Sequence, residues 1–343
     1  MKKNIARPYL ISLLVLFGAI LLSVLVGSVF IPPKVFWNLI VSGLQNQPAA
    51  LDPNGSYAAI LLKLRLPRTI LLLLVGSSLA GSGGAYQGLF RNPLADPFLI
   101  GVSSGASAGA VIAMAIQWPY TTLGLMAVPI AAFLGGALAV FLVTQLARVG
   151  KTIPTTNLIL AGVSVSAFAS AITSLLMINS SGELRRAIVW LMGGATLTGW
   201  GPVLAILPYV IIGLVVLLLL SHPLNVLQFG DEQAQQLGIP VQKIRLVIIV
   251  ASTLVTAAAV AYAGVIGFVG LVVPHIVRMI WGGDYRRLLP LSMISGASLL
   301  LLTDLAARTL TAPQEIPVGI ITALLGAPFF LWVLRRSKSQ NYW

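Results

Sequence analysis

Cysteine is absent from this chain of 343 residues, and charged residues make up only 8% of it. The lack of cysteine excludes disulfides, iron–sulfur ligation, a thiol nucleophile and cysteine-based zinc sites. A soluble domain carries about 25% charged residues, so the low charge content excludes a soluble enzyme, and the apolar composition excludes a disordered chain. The two histidines, His222 and His275, are too few and too far apart in the sequence for a metal centre.

Motifs of enzymatic chemistry are missing as well. The sequence contains no His-Glu-x-x-His, no nucleotide-binding Gly-x-x-x-x-Gly-Lys and no Gly-x-Ser-x-Gly. We therefore predict no catalytic residue, no metal ligand and no cofactor bound by this chain.

Apolar residues are abundant. Hydrophobic side chains make up 58% of the chain, and the mean hydropathy is +0.97. A soluble fold of this size cannot bury so much apolar surface, and the unbroken apolar runs differ from the short alternating strands of a membrane β-barrel. Because a membrane helix needs about 20 mostly apolar residues, the sequence predicts an all-α, polytopic membrane helix bundle. The ten predicted spans are 10–31, 67–88, 101–117, 123–147, 156–178, 201–220, 244–263, 264–280, 289–312 and 316–334, with an extra half-helix within 184–199.

The basic residues indicate the orientation of this bundle. They lie in short clusters between the apolar runs, and more of them lie on the side of Lys2, Lys3 and Arg7 than on the other. The positive-inside rule then places the N-terminus in the cytoplasm, and an even number of spans places the C-terminus there too. The run 10–31 is too long for a signal-peptide core, so a retained first helix is expected. The formal net charge of +13 does not indicate nucleic-acid binding, because no basic stripe forms on one element.

The inner loop 221–243 carries the strongest local signals. Asp231 and Glu232 suit the first turn of a short helix, where acids complement the helix dipole. Gly238 can end that helix in the left-handed conformation, and Pro240 can begin the next one. An exposed apolar cluster over 237–241 indicates contact with a partner. A solvated loop without a partner is the alternative.

These segments carry a family resemblance. Residues 232–241 (Glu-x-Ala-x-x-Leu-Gly-Ile-Pro-Val) resemble the coupling segment of the FecCD-type permeases, the membrane subunits of ABC importers for ferric siderophores, haem and cobalamin. Further matches to that family are 65–68, 88–97 with Gly101 and Gly105, 264–268 with Pro274, His275 and Arg278, 315–319, and 326–328. The resemblance covers essentially the whole chain and implies a single permease domain over 1–343 in the cell inner or plasma membrane.

The resemblance also implies partners and site residues. It implies a homodimer in the lipid bilayer, two cytoplasmic ATPase subunits that use the ATP, and an external substrate-binding protein. The expected ATPase-coupling residues are Asp231, Glu232, Leu237, Gly238, Ile239 and Pro240. The expected cytoplasmic gate residues are Asn92, Leu94, Thr155 and Thr156. The expected docking residues for the binding protein are Arg65, Arg68 and Arg308.

Plainer readings of these residues remain open. The loop with Asn92 and Leu94 can be a simple helix connection, and the small residues of the fifth span can serve helix packing instead of lining a path. Asp304 and Arg308, four residues apart, can form an ion pair near the outer interface, while Arg65 and Arg68 extend to lipid headgroups.

Two other classes of function compete. An ion-coupled secondary transporter of a small solute would carry its coupling groups within its own spans, but Asp304 is a solitary acid there. An intramembrane enzyme would need paired catalytic groups, and neither histidine has an obvious partner.

Overall fold

The computed structural model describes residues 6–27, 29–45, 51–52, 55–116, 121–150, 152–179, 184–194 and 199–338. Within these ranges the chain is built from α-helices, with one π-helical turn (Ile60–Arg65) and one 3₁₀ turn (Pro97–Ile100). The helices are α1 Ala6–Leu25, α2 Pro33–Gln45, α3 Ser56–Ala59, α4 Leu66–Leu89, α5 Val102–Ala115, α6 Thr122–Leu146, α7 Thr155–Asn179, α8 Leu184–Leu191, α9 Trp200–Leu219, α10 Ser221–Leu227, α11 Asp231–Gln236, α12 Val241–Ala263, α13 Val269–Trp281, α14 Tyr285–Thr309 and α15 Val318–Lys338.

Ten of these helices correspond to the ten predicted spans, which confirms the all-α membrane bundle. Among the described residues, α1, α6, α7, α9, α12 and α14 are long and apolar enough to cross a bilayer, and α5, α13 and α15 are shorter apolar helices. The remaining one, α4, has 24 residues and many Ser and Gly. The half-helix predicted within 184–199 is α8, and part of that range, 195–198, lies outside the described residues, as do Lys2 and Lys3.

The bundle is organised around α4, which is buried along most of its length. Helices α9, α12, α13 and α14 pack around it, α5 and α6 form a tight pair beside α7, and α1 packs on α14. Small residues permit the closest approaches, as between membrane helices generally. A Cβ added to Gly76 would collide with Gly296 of α14, and one added to Gly83 would collide with Gly270 of α13.

Two spans are broken near mid-height of α4, and here the predicted start of the eighth span, at residue 264, was wrong. Residues 264–268 are not helical: Gly264 ends α12 with φ +72° and Phe268 precedes α13 with φ +68°. With 13 and 14 residues, α13 and α5 rise about 20 Å, less than the ~30 Å hydrocarbon core.

The loop before α5 also reaches into the bundle. A Cβ on Gly270 would lie 2.8 Å from Leu79 O of α4 and 3.3 Å from Pro97 Cδ. Non-helical backbone at this depth is tolerated where it is buried in protein or lines a water-filled cavity. The two breaks therefore mark the interior part of the bundle that is most suited to a substrate path.

The predicted outer loop 32–66 contains structure that apolar periodicity did not indicate. It forms α2, then α3 and the π-helical turn that leads into α4. The first span also ends earlier than predicted, at Leu25 instead of residue 31. Ile31 is fully buried and packs with Val24 and Leu61, which closes this end of the bundle.

Candidate functional site

The inner loop 221–243 folds as the sequence predicts. Helix α10 leads to Gly230, α11 then carries Asp231 and Glu232 in its first turn, and Gly238 follows with φ +81°. Pro240 precedes α12. The helix that Pro240 was predicted to begin is thus the start of the long α12, three residues before the predicted start of that span at residue 244. The loop is a compact structure and not an extended connection.

Asp231 is the centre of a charged network at the base of this loop. Its Oδ2 accepts a hydrogen bond from Arg245 Nη2 at 2.8 Å, and its Oδ1 lies 3.8 Å from Arg91 Nη2. Arg245 is buried and donates through Nη1 to the carbonyl of Ile153 at 2.8 Å. One carboxylate therefore connects the inner loop to α12, to the loop after α4 and to the turn before α7.

The predicted gate residues adjoin that network. Asn92 follows Arg91, and its side-chain Oδ1 accepts from Leu94 N at 2.9 Å, which forms a local turn. Thr155 and Thr156 begin α7, two and three residues after Ile153. Both predicted gate segments thus lie at the end of the bundle where Asp231 joins their neighbours.

An apolar surface flanks α11. Leu237 is 67% exposed and Phe229, on the other side of the short helix, is 73% exposed. Ile239 is half-buried and Glu232 is exposed. The sequence reasoning missed Phe229, although its position directly before Gly230 is comparable to that of Leu237 before Gly238. Phe229 and Leu237 together form what we call the coupling patch.

A second polar cluster fastens the same end of the bundle. Arg278 of α13 donates to Gln87 Oε1 of α4 at 2.9 Å and to the Tyr285 hydroxyl at 3.1 Å. Asp284 accepts from Asn225 Nδ2 at 2.7 Å, linking α10 to α14. Burial raises the pKa of Asp284, but hydrogen bonds from Asn225 and the Arg286 backbone, with nearby arginine charges, outweigh it and hold this pKa below its usual value. The carboxylate therefore stays ionised at neutral pH.

Arg65 binds backbone carbonyls at the opposite end of the bundle. Its guanidinium donates to Val24 O at 2.7 Å and Leu25 O at 2.9 Å, and also to Val29 O. These carbonyls lie at the end of α1, where a helix leaves acceptors unsatisfied and a cation is favoured. The side chain is only 6% exposed, so it does not extend to lipid headgroups, which was the plainer reading of this residue.

Asp304 is fully buried between two arginines. Its Oδ1 accepts from Arg68 Nη2 at 2.8 Å and from Arg68 Nε at 3.1 Å. Its Oδ2 lies 2.8 Å from Arg308 Nε, an ion pair without the alignment of a hydrogen bond. The ion pair expected between Asp304 and Arg308 is thus present, and Arg68 shares it.

The three predicted docking arginines differ in accessibility. Arg65 and Arg308 are 6% and 7% exposed and are held by contacts within the chain. Arg68 retains 20% exposure and reaches outward to Glu315, whose Oε2 lies 2.8 Å from Nη1. Arg68 and Glu315 are therefore the part of this cluster open to a partner.

Two non-helical segments, 192–194 and 264–268, meet the start of α15 near the broken spans. Gly194 N donates to Ala263 O at 2.6 Å, and Gly319 N lies 3.5 Å from Gly193 O. A cavity of about 390 Å³ opens beside them, between the ends of α8, α12 and α15, and includes Met192, Val265 and Gly319. The sequence signal for this convergence is the set of glycines at the ends of these segments.

One face of α7 is uncovered in the single chain. Leu160, Val163 and Phe168 are 67%, 56% and 69% exposed, although Ser166 of the same helix bonds Ser104 of α5 at 3.0 Å. Broken helices at mid-depth, an uncovered apolar face on α7 and a folded inner loop are typical of a multi-pass membrane permease.

The chain belongs to the FecCD transport family, whose family model matches residues 13–336. The cobalamin import system permease protein of Halobacterium salinarum is 47% identical over 273 residues, covering 79% of this chain and 72% of that protein. The hemin transport system permease protein of Yersinia pestis is 43% identical over 295 residues, covering 84% and 86%.

A solved structure has the same architecture. It is described as a metal-chelate type ABC transporter in an inward-facing conformation, with a TM-score of 0.82, 32% identity, and coverage of 95% of this chain and 97% of that one. The chain is accordingly a transport permease that lies in the plasma membrane.

Proposed function

We propose that this chain is the permease subunit of an ABC importer that moves a metal chelate (a ferric siderophore, haem or cobalamin) into the cytoplasm. An external binding protein delivers the substrate, and two separate cytoplasmic ATPase subunits supply the energy. The names of the relatives support the substrate class. The absence of a nucleotide-binding motif from the sequence is consistent with ATP hydrolysis by a partner.

The observation that carries this proposal is the position of Asp231. It belongs to the loop that offers the exposed coupling patch, yet its carboxylate reaches Arg245 and Arg91. A partner that moves α11 would therefore pull on the turn before α7 through Arg245 and Ile153, and on the gate loop through Arg91. This is a contiguous physical connection between a docking surface and both gate segments.

Asp231→Asn is expected to weaken this connection without removing the coupling patch. Such connections contribute about 0.5–2 kcal/mol, so ATP-driven uptake in reconstituted vesicles should fall by roughly 2- to 30-fold. Co-purification of the ATPase should be unchanged, because Phe229 and Leu237 remain in place.

Lys243→Gln is the matched control, since it removes one charge from an exposed position of the same inner loop with no ion-pair partner among the described residues and no predicted role in coupling. Uptake by this variant should stay near wild type. Equal uptake by the Asp231→Asn and Lys243→Gln proteins would contradict the proposed connection.

The substrate path is proposed to lie between two copies of the chain. The uncovered face of α7 and the convergence of 192–194, 264–268 and 317–319 support this position. An apolar helix face of this kind is consistent with a second subunit across a path. In such a dimer, the four gate residues Asn92, Leu94, Thr155 and Thr156 would close the cytoplasmic end.

Single cysteines on α7 test this arrangement, because the native chain has none. Leu160→Cys and Val163→Cys are expected to cross-link between subunits in at least one nucleotide state. Leu138→Cys, exposed on α6, should not. Failure of every α7 position to cross-link in all nucleotide states would place the path elsewhere.

The outer arginine cluster is proposed to receive acidic side chains of the binding protein, as the resemblance implies for Arg65, Arg68 and Arg308. Arg68 is the most exposed of the three, and Arg65 and Arg308 would position it. In the free permease Glu315 occupies one side of the Arg68 guanidinium. A docking carboxylate would compete with Glu315 for it.

Glu315→Gln is therefore expected to strengthen docking slightly. An exposed pair contributes about 0–1 kcal/mol, so the binding-protein Kd should fall by at most about fivefold at low salt and the gain should vanish at high salt. In an Arg68→Gln background the same substitution should have no effect. A gain that persists without Arg68 would show that Glu315 acts by another route.

Asp304 also bears on the competing transport class. A proton relay needs an acid that can exchange its proton along the path, but this carboxylate is buried between Arg68 and Arg308. Its surroundings therefore favour a structural brace and support ATP-driven transport over an ion-coupled carrier.

A further inference from the structure

A groove between α6 and α12 has no role in the transport mechanism proposed above. It encloses a cavity of about 470 Å³, within the range of about 300–1,000 Å³ typical of ligand sites. Its walls are mostly apolar and come from Phe133, Val140, Phe141, Leu246, Val250 and Leu254. Phe141 and Val250 are more than half exposed, so the groove opens sideways from the bundle and not into its interior.

The length of the groove matches one leaflet of a bilayer. Its upper end is closed by Phe133, whose ring lies 5.5 Å from that of Tyr209 on α9. Its lower end is bordered by Arg148 and Ile153, at the turn after α6. From Phe133 to Leu146 the helix rises about 20 Å, about two-thirds of the ~30 Å hydrocarbon core. The groove therefore extends from mid-bilayer to the cytoplasmic headgroup level.

The polar groups of the groove are concentrated at that lower end. The hydroxyls of Thr144 and Thr253 are bonded to carbonyls of their own helices. The side chains of Gln145 and Arg148 have no hydrogen-bond or ion-pair partner among the described residues, and both are exposed. Arg148 lies in the turn that follows α6, where its backbone N–H donates to Gln145 O at 3.3 Å, so the two residues lie close together. The site thus offers an amide and a guanidinium below an apolar channel.

We propose that this groove binds an anionic phospholipid of the inner leaflet, with one acyl chain in the channel and the phosphate at Arg148 and Gln145. The guanidinium can donate two parallel hydrogen bonds to phosphate oxygens. The cytoplasmic leaflet is the one that carries anionic lipid, and basic residues at its surface attract it. A second copy of the chain would cover the apolar wall but would leave the cationic end without a counter-charge, so the lipid fits the whole site better.

Native mass spectrometry of the detergent-solubilised full chain tests this proposal, with phosphatidylglycerol as the probe and phosphatidylcholine as the zwitterionic comparison. Saturable binding of phosphatidylglycerol is expected, and Arg148→Gln should weaken it by about fivefold or more. Arg335→Gln removes the same charge from an exposed position on α15 that does not line the cavity, and it should change the Kd little. Ala137→Phe should block the channel, whereas Leu138→Phe, its exposed neighbour, should not.

Several results would overturn the proposal. They are equal binding of the two lipids, equal losses from the Arg148 and Arg335 substitutions, or undiminished lipid binding by the Ala137→Phe protein. Displacement of the lipid by glycerol phosphate alone would show a simple anion site without a chain-binding channel. Loss of dimers in the Ala137→Phe protein, with lipid binding retained, would assign the groove to a second copy of the chain.

Discussion

Replacing both Phe229 and Leu237 with aspartate is expected to abolish ATP-driven uptake and co-purification of the ATPase. Both side chains are more than two-thirds exposed on either side of α11, and an aspartate at either place would put a charge without a partner into an apolar contact. Loss of a central contact in an interface costs about 2 kcal/mol or more, which is roughly 30-fold in affinity.

The folded permease should tolerate this double substitution, because neither side chain is part of the buried core. Val149→Asp provides the control: it introduces the same charge at an exposed apolar residue of the same end of the bundle. That variant should keep its ATPase and its uptake. A Phe229→Asp, Leu237→Asp protein that assembles and transports normally would show that the coupling patch does not bind the ATPase.

The largest effect on stability is expected from Asp304→Asn. The substitution keeps the shape of the side chain but leaves two guanidinium groups beside a neutral amide in a buried site. Arg68 would retain Glu315, whereas Arg308 would retain only Ser23. Breaking a buried ion pair by removing one partner costs about 3–5 kcal/mol, so the thermal midpoint of the purified protein should fall markedly.

Two further variants test whether the lost charge of Asp304 causes the expected loss of stability. Glu315→Gln breaks the exposed arm of the same cluster and should cost about 0–1 kcal/mol. Adding Arg308→Leu to Asp304→Asn removes one uncompensated charge, so the double variant should be more stable than the single one. An Asp304→Asn single variant as stable as the wild type would show that the buried triad contributes little to the fold.

Much of the fold can be predicted from the amino-acid sequence alone. Apolar runs of about 20 residues locate nine of the ten membrane helices closely, since each backbone must satisfy its own hydrogen bonds in lipid. The folded inner loop is equally local: acids at its start and Gly238 and Pro240 at its end act through backbone preferences within α11 and its neighbours. Contacts with distant parts of the chain change the secondary structure of such segments little.

The break at 264–268 illustrates what apolar periodicity does not contain. The segment is as apolar as a helix, and Phe268 in the left-handed region has no local signal. Its conformation is set by packing against α8 and α15, which come from distant parts of the chain, at Gly193 and Gly319. A glycine in the sequence indicates that another segment can approach closely, but it does not indicate which segment.

The outer arginines show a similar limit for side chains. Counting the basic residues on each side predicts that these arginines lie beside the bilayer. It does not predict which residues they contact. Arg65 binds carbonyls of α1 about 40 residues earlier, and Arg68 shares an acid 236 residues later. Their burial follows from the way α1, α4 and α14 pack. The family resemblance therefore predicts docking at this cluster, and the structure distinguishes the accessible Arg68 from its buried neighbours.

The most direct test of the central claim is uptake into proteoliposomes that contain this chain with its cognate ATPase, assayed with its binding protein and ferric siderophore, haem and cobalamin in turn. We expect that one of these chelates accumulates only when ATP reaches the ATPase, and that an ion gradient without ATP drives no uptake. Accumulation driven by an ion gradient in vesicles that lack the ATPase would contradict the proposed function and would assign the chain to the secondary transporters.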